Sequence, residues 1–336
     1  MYYRWNVEIN VTLEIASRSK EVALKTNDPD DMVLAETMLG AANHLAGNHV
    51  LAIKHFESGL GYSTSGSRFR AGVSSRSLLL VGMARCLMLR GLLDQSLGYA
   101  KLAIEEGERS GHPAMLCRSL SLVLPIYLAV ANFARSEQYI AQLTELSTAY
   151  SLKPYGAVAT GLRGRWLLLK NDLGKGIPLL KRALAELQAQ SHEMLNMNFV
   201  CELGAGLIVT GEHQEALTML SNAIDVQRRG GKFQYMPALL RMKVLFLASR
   251  SAEDYLDAEE TLLTAIDWAK RQSATLFELM AATDLAELLR KQAREPEAYK
   301  HLKEALYRVP AEISFPARTR ALQILSQLQS GTEAVT

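Results

Sequence analysis

Small and apolar positions recur along this chain at a fixed helical spacing. A small residue is followed by an apolar residue four positions on and a second small residue seven positions on, Leu143 being the exception in that last place. The pattern reads Thr12/Ala16/Ser19, Ala52/Phe56/Gly59, Ser96/Ala100/Ala103, Ser136/Ile140/Leu143, Gly176/Leu180/Ala183, Ala216/Leu220/Ala223, Ala258/Leu262/Ala265 and Ala298/Leu302/Ala305. Successive copies start 40, 44, 40, 40, 40, 42 and 40 residues apart. Offsets of four and seven share one face of an α-helix. A column of small residues there admits a second helix at close range. Twelve residues upstream of the first column the chain is again small, at Gly40, Ala84, Gly164, Gly204 and Ala286, with Leu124 as the exception. By this register Ala223 lies in the packing column and Gln227 outside it.

Turn residues separate each upstream helix (A) from the column-bearing helix (B): Gly47-Asn48, Gly91, Asn132, Asn171-Asp172 and Gly211. Stop signals separate the units: Asn27-Asp28-Pro29, Gly111-His112-Pro113, Pro154, Gly230-Gly231 and Pro310. The pattern predicts an all-α, tetratricopeptide-like, right-handed superhelical solenoid of about eight helix pairs. Its ~40-residue units exceed the tetratricopeptide period of about 34 by one to two helical turns. The expected organisation is a single array over 1–336. Residues 1–29 hold a truncated first repeat, 30–310 seven helix-turn-helix repeats, 311–329 a capping helix and 330–336 a tail. The 44-residue step places an insertion around Gly59–Gly72, and the 42-residue step a longer turn near Ser249–Asp254. Because stacked repeats touch only their neighbours, the expected particle is elongated and curved.

The first copy is short of residues for its helix A. Its remnant carries Tyr2, Tyr3, Trp5, Val7 and Ile9. Two readings stand: the chain is cut from a larger protein whose upstream domains touch Tyr2, Tyr3 and Trp5, or the remnant caps the array.

Composition narrows the function classes. Apolar residues make up 49% and aromatics 7%, which suits packed helices more than sheets. The 37 basic and 35 acidic residues leave a net charge of +2, without the basic excess expected of a nucleic-acid binder. No membrane span is expected. The three cysteines, Cys86, Cys117 and Cys201, are read as separate buried thiols in a reducing cytoplasm. No CxxC or Cys/His cluster is apparent, and His44, His49, His55, His112, His192, His213 and His301 are read as solvated or capping. The expectation is therefore no metal site and no cofactor. Gly61–Ser67 has the glycine spacing of a phosphate loop but lacks the Lys and hydroxyl residue that complete one. No nucleophile arrangement is seen, so the chain is not read as an enzyme.

What remains is the concave wall. The second, fifth and ninth positions of helix A are expected to line it, which selects Arg85, Arg118, Arg165, Arg241 and Glu287. Four arginines there either clamp an acidic peptide, a carboxylate or a phosphate, or pair with neighbouring acids. Arg294, in a turn, is expected to be silent.

Several runs resemble a known family. They are Gln272–Leu289, with its Met280-Ala281-Ala282-Thr283-Asp284-Leu285-Ala286 core, Tyr235–Lys243, Pro125-Ile126, and Thr12–Ala16 running on to Asn27-Asp28-Pro29. Together they resemble the C-terminal repeat region of bacterial winged-helix regulators with a central ATPase domain, the signal-transduction ATPases. The maltose-operon activator carries a related sensor. The chain departs from the family at Ala238, where a glutamate is common, and at Lys243-Val244-Leu245, where Lys-Gly-Glu is common. The resemblance implies a non-catalytic sensor or scaffold in a transcriptional regulator, binding a protein, a peptide or a small anionic effector. A free-standing adaptor that grips a partner's peptide is the alternative.

Overall fold

The computed structural model of the protein describes residues 8–62, 75–247, 255–310 and 314–333. These form sixteen helices and no strand. The first is α1 (Ile9–Thr26). Seven A–B pairs follow: α2 (Pro29–Ala46) with α3 (His49–Tyr62), α4 (Ser75–Leu89) with α5 (Leu93–Arg109), α6 (Pro113–Ala129) with α7 (Phe133–Ala149), and α8 (Lys153–Leu169) with α9 (Leu173–Ala189). Then come α10 (Asn196–Val209) with α11 (His213–Gly230), α12 (Met236–Leu247) with α13 (Tyr255–Gln272), and α14 (Thr275–Lys291) with α15 (Glu295–Tyr307). α16 (Pro316–Glu333) closes the array against α14 and α15.

The A–B turn repeats atom for atom. At each of the six described turns, a backbone N–H reaches back five residues, from Asn48, Leu92, Asn132, Asp172, Glu212 and Arg294 to the carbonyls of Asn43, Leu87, Tyr127, Leu167, Leu207 and Leu289. This bond closes a helix C-terminus when the preceding residue is left-handed. Gly47, Gly91, Ala131, Asn171, Gly211 and Ala293 all have positive φ there. In the fourth copy the left-handed residue is Ala131. Asn132 instead caps α7, its side chain accepting from Arg135 N–H at 3.2 Å. Between units, Asp28 caps α2 by accepting from Asp30 N–H at 2.8 Å, with Pro29 at the first helical position.

From the second copy onward every column residue is buried. Phe56, the one aromatic column residue, has its ring between Gly40 and Gly82; a Cβ on either would lie within 2.4 Å of it. The upstream small position also binds its column directly. Ser96 Oγ donates to Ala84 C=O at 2.7 Å, across the twelve-residue offset. Gln227 corrects the register: it is 4% exposed and packed inward, because α11 buries a face one turn longer than the column.

The array does not stay open. Gln234 N–H, in the α11–α12 connection, donates to Leu45 C=O at the end of α2 at 3.2 Å. Thr275 Oγ1 at the start of α14 donates to Arg90 C=O beyond α4 at 2.6 Å. Gly231 packs on Ile9 and Gly47 on Gln272. The superhelix therefore completes a turn and rests its last third on its first, where only neighbour contacts were expected. Of the sequence expectations, the insertion beyond Tyr62, the turn near Ser249–Asp254, most of Gly61–Ser67, and Tyr2, Tyr3 and Trp5 lie outside the described residues.

Candidate functional site

Closure shapes a half-open cavity of about 590 Å³ between the first units and the α9–α12 region, within the size range of small-ligand sites. Leu45 and Arg85 reach it from the first units, Arg118 and Leu122 from α6, Met194 and Leu195 from the α9–α10 turn, and Asn196 and Met197 from the start of α10. Residues between Val226 and Tyr235 complete it from the end of α11 and the α11–α12 connection. Leu195 sits in the left-handed region at φ 61. For a bulky residue that backbone is strained by roughly 1–3 kcal/mol, and it turns Met194 and Met197 onto the wall. Flexible thioethers adapt to varied apolar partners.

The wall is basic. Arg85, Arg118, Arg229 and Lys232 face Glu8 and Glu193. Lys232 and Glu193 lie 3.7 Å apart and offset each other. Among the described residues, no carboxylate comes within ion-pair distance of Arg85 or Arg229. Arg118 holds the His192 imidazole below its usual pKa, adding to the larger effect of burial. Three amide oxygens of wall residues, Asn196 Oδ1, Gln227 Oε1 and Gln234 Oε1, are buried without a hydrogen-bond partner among the described residues. A buried acceptor left unpaired costs roughly 1–3 kcal/mol. All three atoms are covered from solvent, so they lie behind the cavity surface rather than on it.

The structure divides the sequence-selected residues. Arg85 and Arg118 line the cavity. Arg165, Arg241 and Glu287 do not, and serve as struts between units. Arg165 Nε lies 2.8 Å from Glu202 Oε1, an ion pair rather than an aligned hydrogen bond, and its Nη1 donates to Asn198 Oδ1 at 3.4 Å. Arg241 Nε pairs with Asp284 Oδ2 at 2.5 Å. Arg320 then pairs with Asp284 at 2.9 Å and Glu287 at 2.6 Å. Each partner lies on the next helix A or on α16, 33 to 43 residues away, so spacing within one helix does not reveal it. Arg294 likewise is not a bare turn residue: it bridges Glu259 and Glu297, each at 2.6 Å.

The histidines require a further correction. His44 and His49 are buried, at 4% and 0% exposed, and stand beside fully buried Cys86. His44 ends α2, His49 begins α3, and the left-handed Gly47 folds one back towards the other. The missed signal was the pair flanking a turn, with a cysteine 42 residues after His44, about one repeat step, on the neighbouring helix A. His55, in turn, pairs with buried Glu36 at 2.7 Å.

No protein-family model matches the sequence, and no curated protein matches it. Solved structures share its architecture. One is a Rap protein complexed with Competence and Sporulation Factor, at TM-score 0.62 and 14% identity over 89% of this chain and 76% of that one. Another is the Rap conjugation gene regulator of plasmid pLS20 in complex with the Phr* peptide, at TM-score 0.57 and 14% identity over 90% and 78%. A third is a signal-transduction ATPase with a tetratricopeptide repeat sensor, PH0952 from Pyrococcus horikoshii, at TM-score 0.52 and 12% identity. The fold is a tetratricopeptide-like repeat superhelix. The match to the ATPase covers 96% of this chain and 50% of that longer one. Among the described residues, no helix is long and apolar enough to cross a membrane.

Proposed function

We propose that this superhelix is a non-catalytic binding domain whose central cavity takes a short acidic peptide segment. The observation that carries the reading is the basic wall on which, among the described residues, Arg85 and Arg229 have no carboxylate within ion-pair distance, beside the apolar Leu122, Met194 and Met197. The acidic side chains or terminal carboxylate of a peptide would meet the arginines. A peptide's apolar side chains would cover the apolar part of the wall, which a small anion alone would leave bare. The Rap conjugation gene regulator that shares the fold is described in complex with the Phr* peptide, which accords with this reading.

The sensor segment of an ATPase-containing transcriptional regulator is the proposed setting, with a free-standing adaptor as the alternative. The family resemblance of Gln272–Leu289 and the fold shared with an ATPase's repeat sensor support the first. A non-catalytic role accords with the state of the thiols. Burial pushes the Cys86 thiol up to about 12 and Cys117 to about 11, and raises Cys201 further, so none is a ready nucleophile.

Fluorescence anisotropy with labelled peptide pools tests the reading. An acidic pool should bind saturably, a basic pool should not, and Arg85→Glu should weaken the acidic pool about tenfold or more, since a charge-assisted contact contributes roughly 1.5–3 kcal/mol. Equal binding of both pools, or an unaffected Arg85→Glu protein, contradicts it.

A further inference from the structure

His44, His49 and Cys86 bring three metal-ligating side chains together in the core beneath the α2–α3 turn, outside the cavity. His44 Nδ1 lies 3.3 Å from His49 Nδ1 and 3.2 Å from Cys86 Sγ. One ligand atom from each residue falls within 4.8 Å of the others. Hydrogen bonding does not account for this convergence. An imidazole nitrogen has one in-plane direction, occupied by a lone pair or a proton. His44 Nδ1 cannot accept from both Cys86 S–H and His49 N–H, nor donate to both. The Nε2 atoms of the two rings are buried and unpartnered among the described residues, so either tautomer leaves one N–H without an acceptor.

A cation bound by all three residues replaces these competing contacts with three bonds. Around a trigonal centre, metal–nitrogen bonds of about 2.0 Å and metal–sulfur bonds of about 2.3 Å place ligand atoms roughly 3.5–3.7 Å apart. The two measured edges are a few tenths of an ångström shorter, so the side chains would open slightly around the ion. Neutral imidazole is the ligating form.

Charge selects among thiophilic metals. Two neutral imidazoles and one thiolate supply a single negative charge, and the charged groups that act on the cluster are Arg85 and Arg90. A univalent ion leaves the buried site neutral. A divalent ion leaves a net positive charge beside two guanidinium groups, and zinc calls for a fourth ligand. Soft thiolate with imidazole, at low coordination number, suits Cu(I). We propose that His44, His49 and Cys86 form a buried three-coordinate Cu(I) site. Binding exchanges the Cys86 thiol proton for the metal, the proton passing to solvent, with no change of oxidation state. The site adjoins Leu45, whose carbonyl accepts the closure bond from Gln234, so the ion would stiffen the turn on which the superhelix closes.

The experiment uses the full chain, reduced and stripped of metal, titrated anaerobically with Cu(I) against a chromophoric competitor and separately with Zn(II). One equivalent of Cu(I) should be retained. Cys86→Ser and His49→Gln should each weaken it at least ~100-fold, beyond what loss of an outer-shell partner costs. Cys117→Ser and Cys201→Ser should leave it unchanged. X-ray absorption of the copper-loaded wild type should show one sulfur and two nitrogen neighbours, a readout that does not depend on any variant folding. No retained copper, tighter zinc than copper, binding indifferent to Cys86→Ser in a folded variant, or a shell with no sulfur or several would overturn the proposal.

Discussion

Gly164 on α8 and Gly176 on α9 face each other so closely that a Cβ on either would lie 2.9 Å from the other's carbonyl oxygen. They are one instance of the twelve-residue relation that recurs between helices A and B. The obstructing atoms are backbone, which a rotamer change cannot move. Gly164→Ala should therefore cost about 1–3 kcal/mol, as overpacking does. Gly98→Ala, on the exposed face of α5 with nothing within 4 Å of its Cβ, should stabilise by roughly 0.5–1 kcal/mol. Urea melts of the two variants give opposite signs if the packing is right. The same sign at both would mean the helix contact is misplaced.

The inner struts should behave as structure. Arg241→Ala leaves Asp284, only 6% exposed, without one of its two arginines. The remaining Arg320 limits the loss to roughly 2–3 kcal/mol, below the cost of a fully orphaned buried charge. Peptide affinity should not change at temperatures where the variant is folded. Lower affinity with unchanged melting would return Arg241 to the binding site.

Glu36 makes the first units acid-sensitive. It is 1% exposed, and Lys20 and His55 pair with it at 2.8 and 2.7 Å. Burial alone would raise its pKa, but the hydrogen bonds from Lys20 and His55, reinforced by Coulombic attraction, outweigh burial and lower it from the usual 4.5. The folded value thus lies below the unfolded one. Its stabilisation is complete above the unfolded value and is lost as pH falls through the folded one. Glu36→Gln should cost about 1–3 kcal/mol at neutral pH, discounted for the partly exposed partners, and should flatten the fall in melting temperature below pH 4.5. A parallel fall in wild type and variant would assign the acid sensitivity elsewhere.

Much of the fold was legible because its determinant is periodic and local. Ala52, Ser96 and Ala298 share one spacing, and that spacing specifies helix, partner helix and turn together. Gln227 was misassigned because the column ends one turn before the buried face does. The site was only half legible. Arg85 and Arg118 could be placed on an inner face, but whether an arginine is free or paired depends on the next unit: Glu202 and Asp284 are remote in sequence from Arg165 and Arg241. The cavity depends on the accumulated rotation of all the units, which brings Gln234 to Leu45, and no local pattern encodes that. His44, His49 and Cys86 carried a weak signal in their flanking of one turn and near-repeat spacing.

The central claim is that a ligand sits inside the closed superhelix, and site-specific photo-cross-linking tests it most directly. A photoreactive residue replacing Leu122 on the cavity wall should capture the acidic peptide pool, and free peptide should compete for that capture. The same group at Tyr307, 93% exposed on α15, should capture none. Capture at Tyr307 with none at Leu122, in proteins that melt like wild type, would place binding on the outer surface and contradict the account.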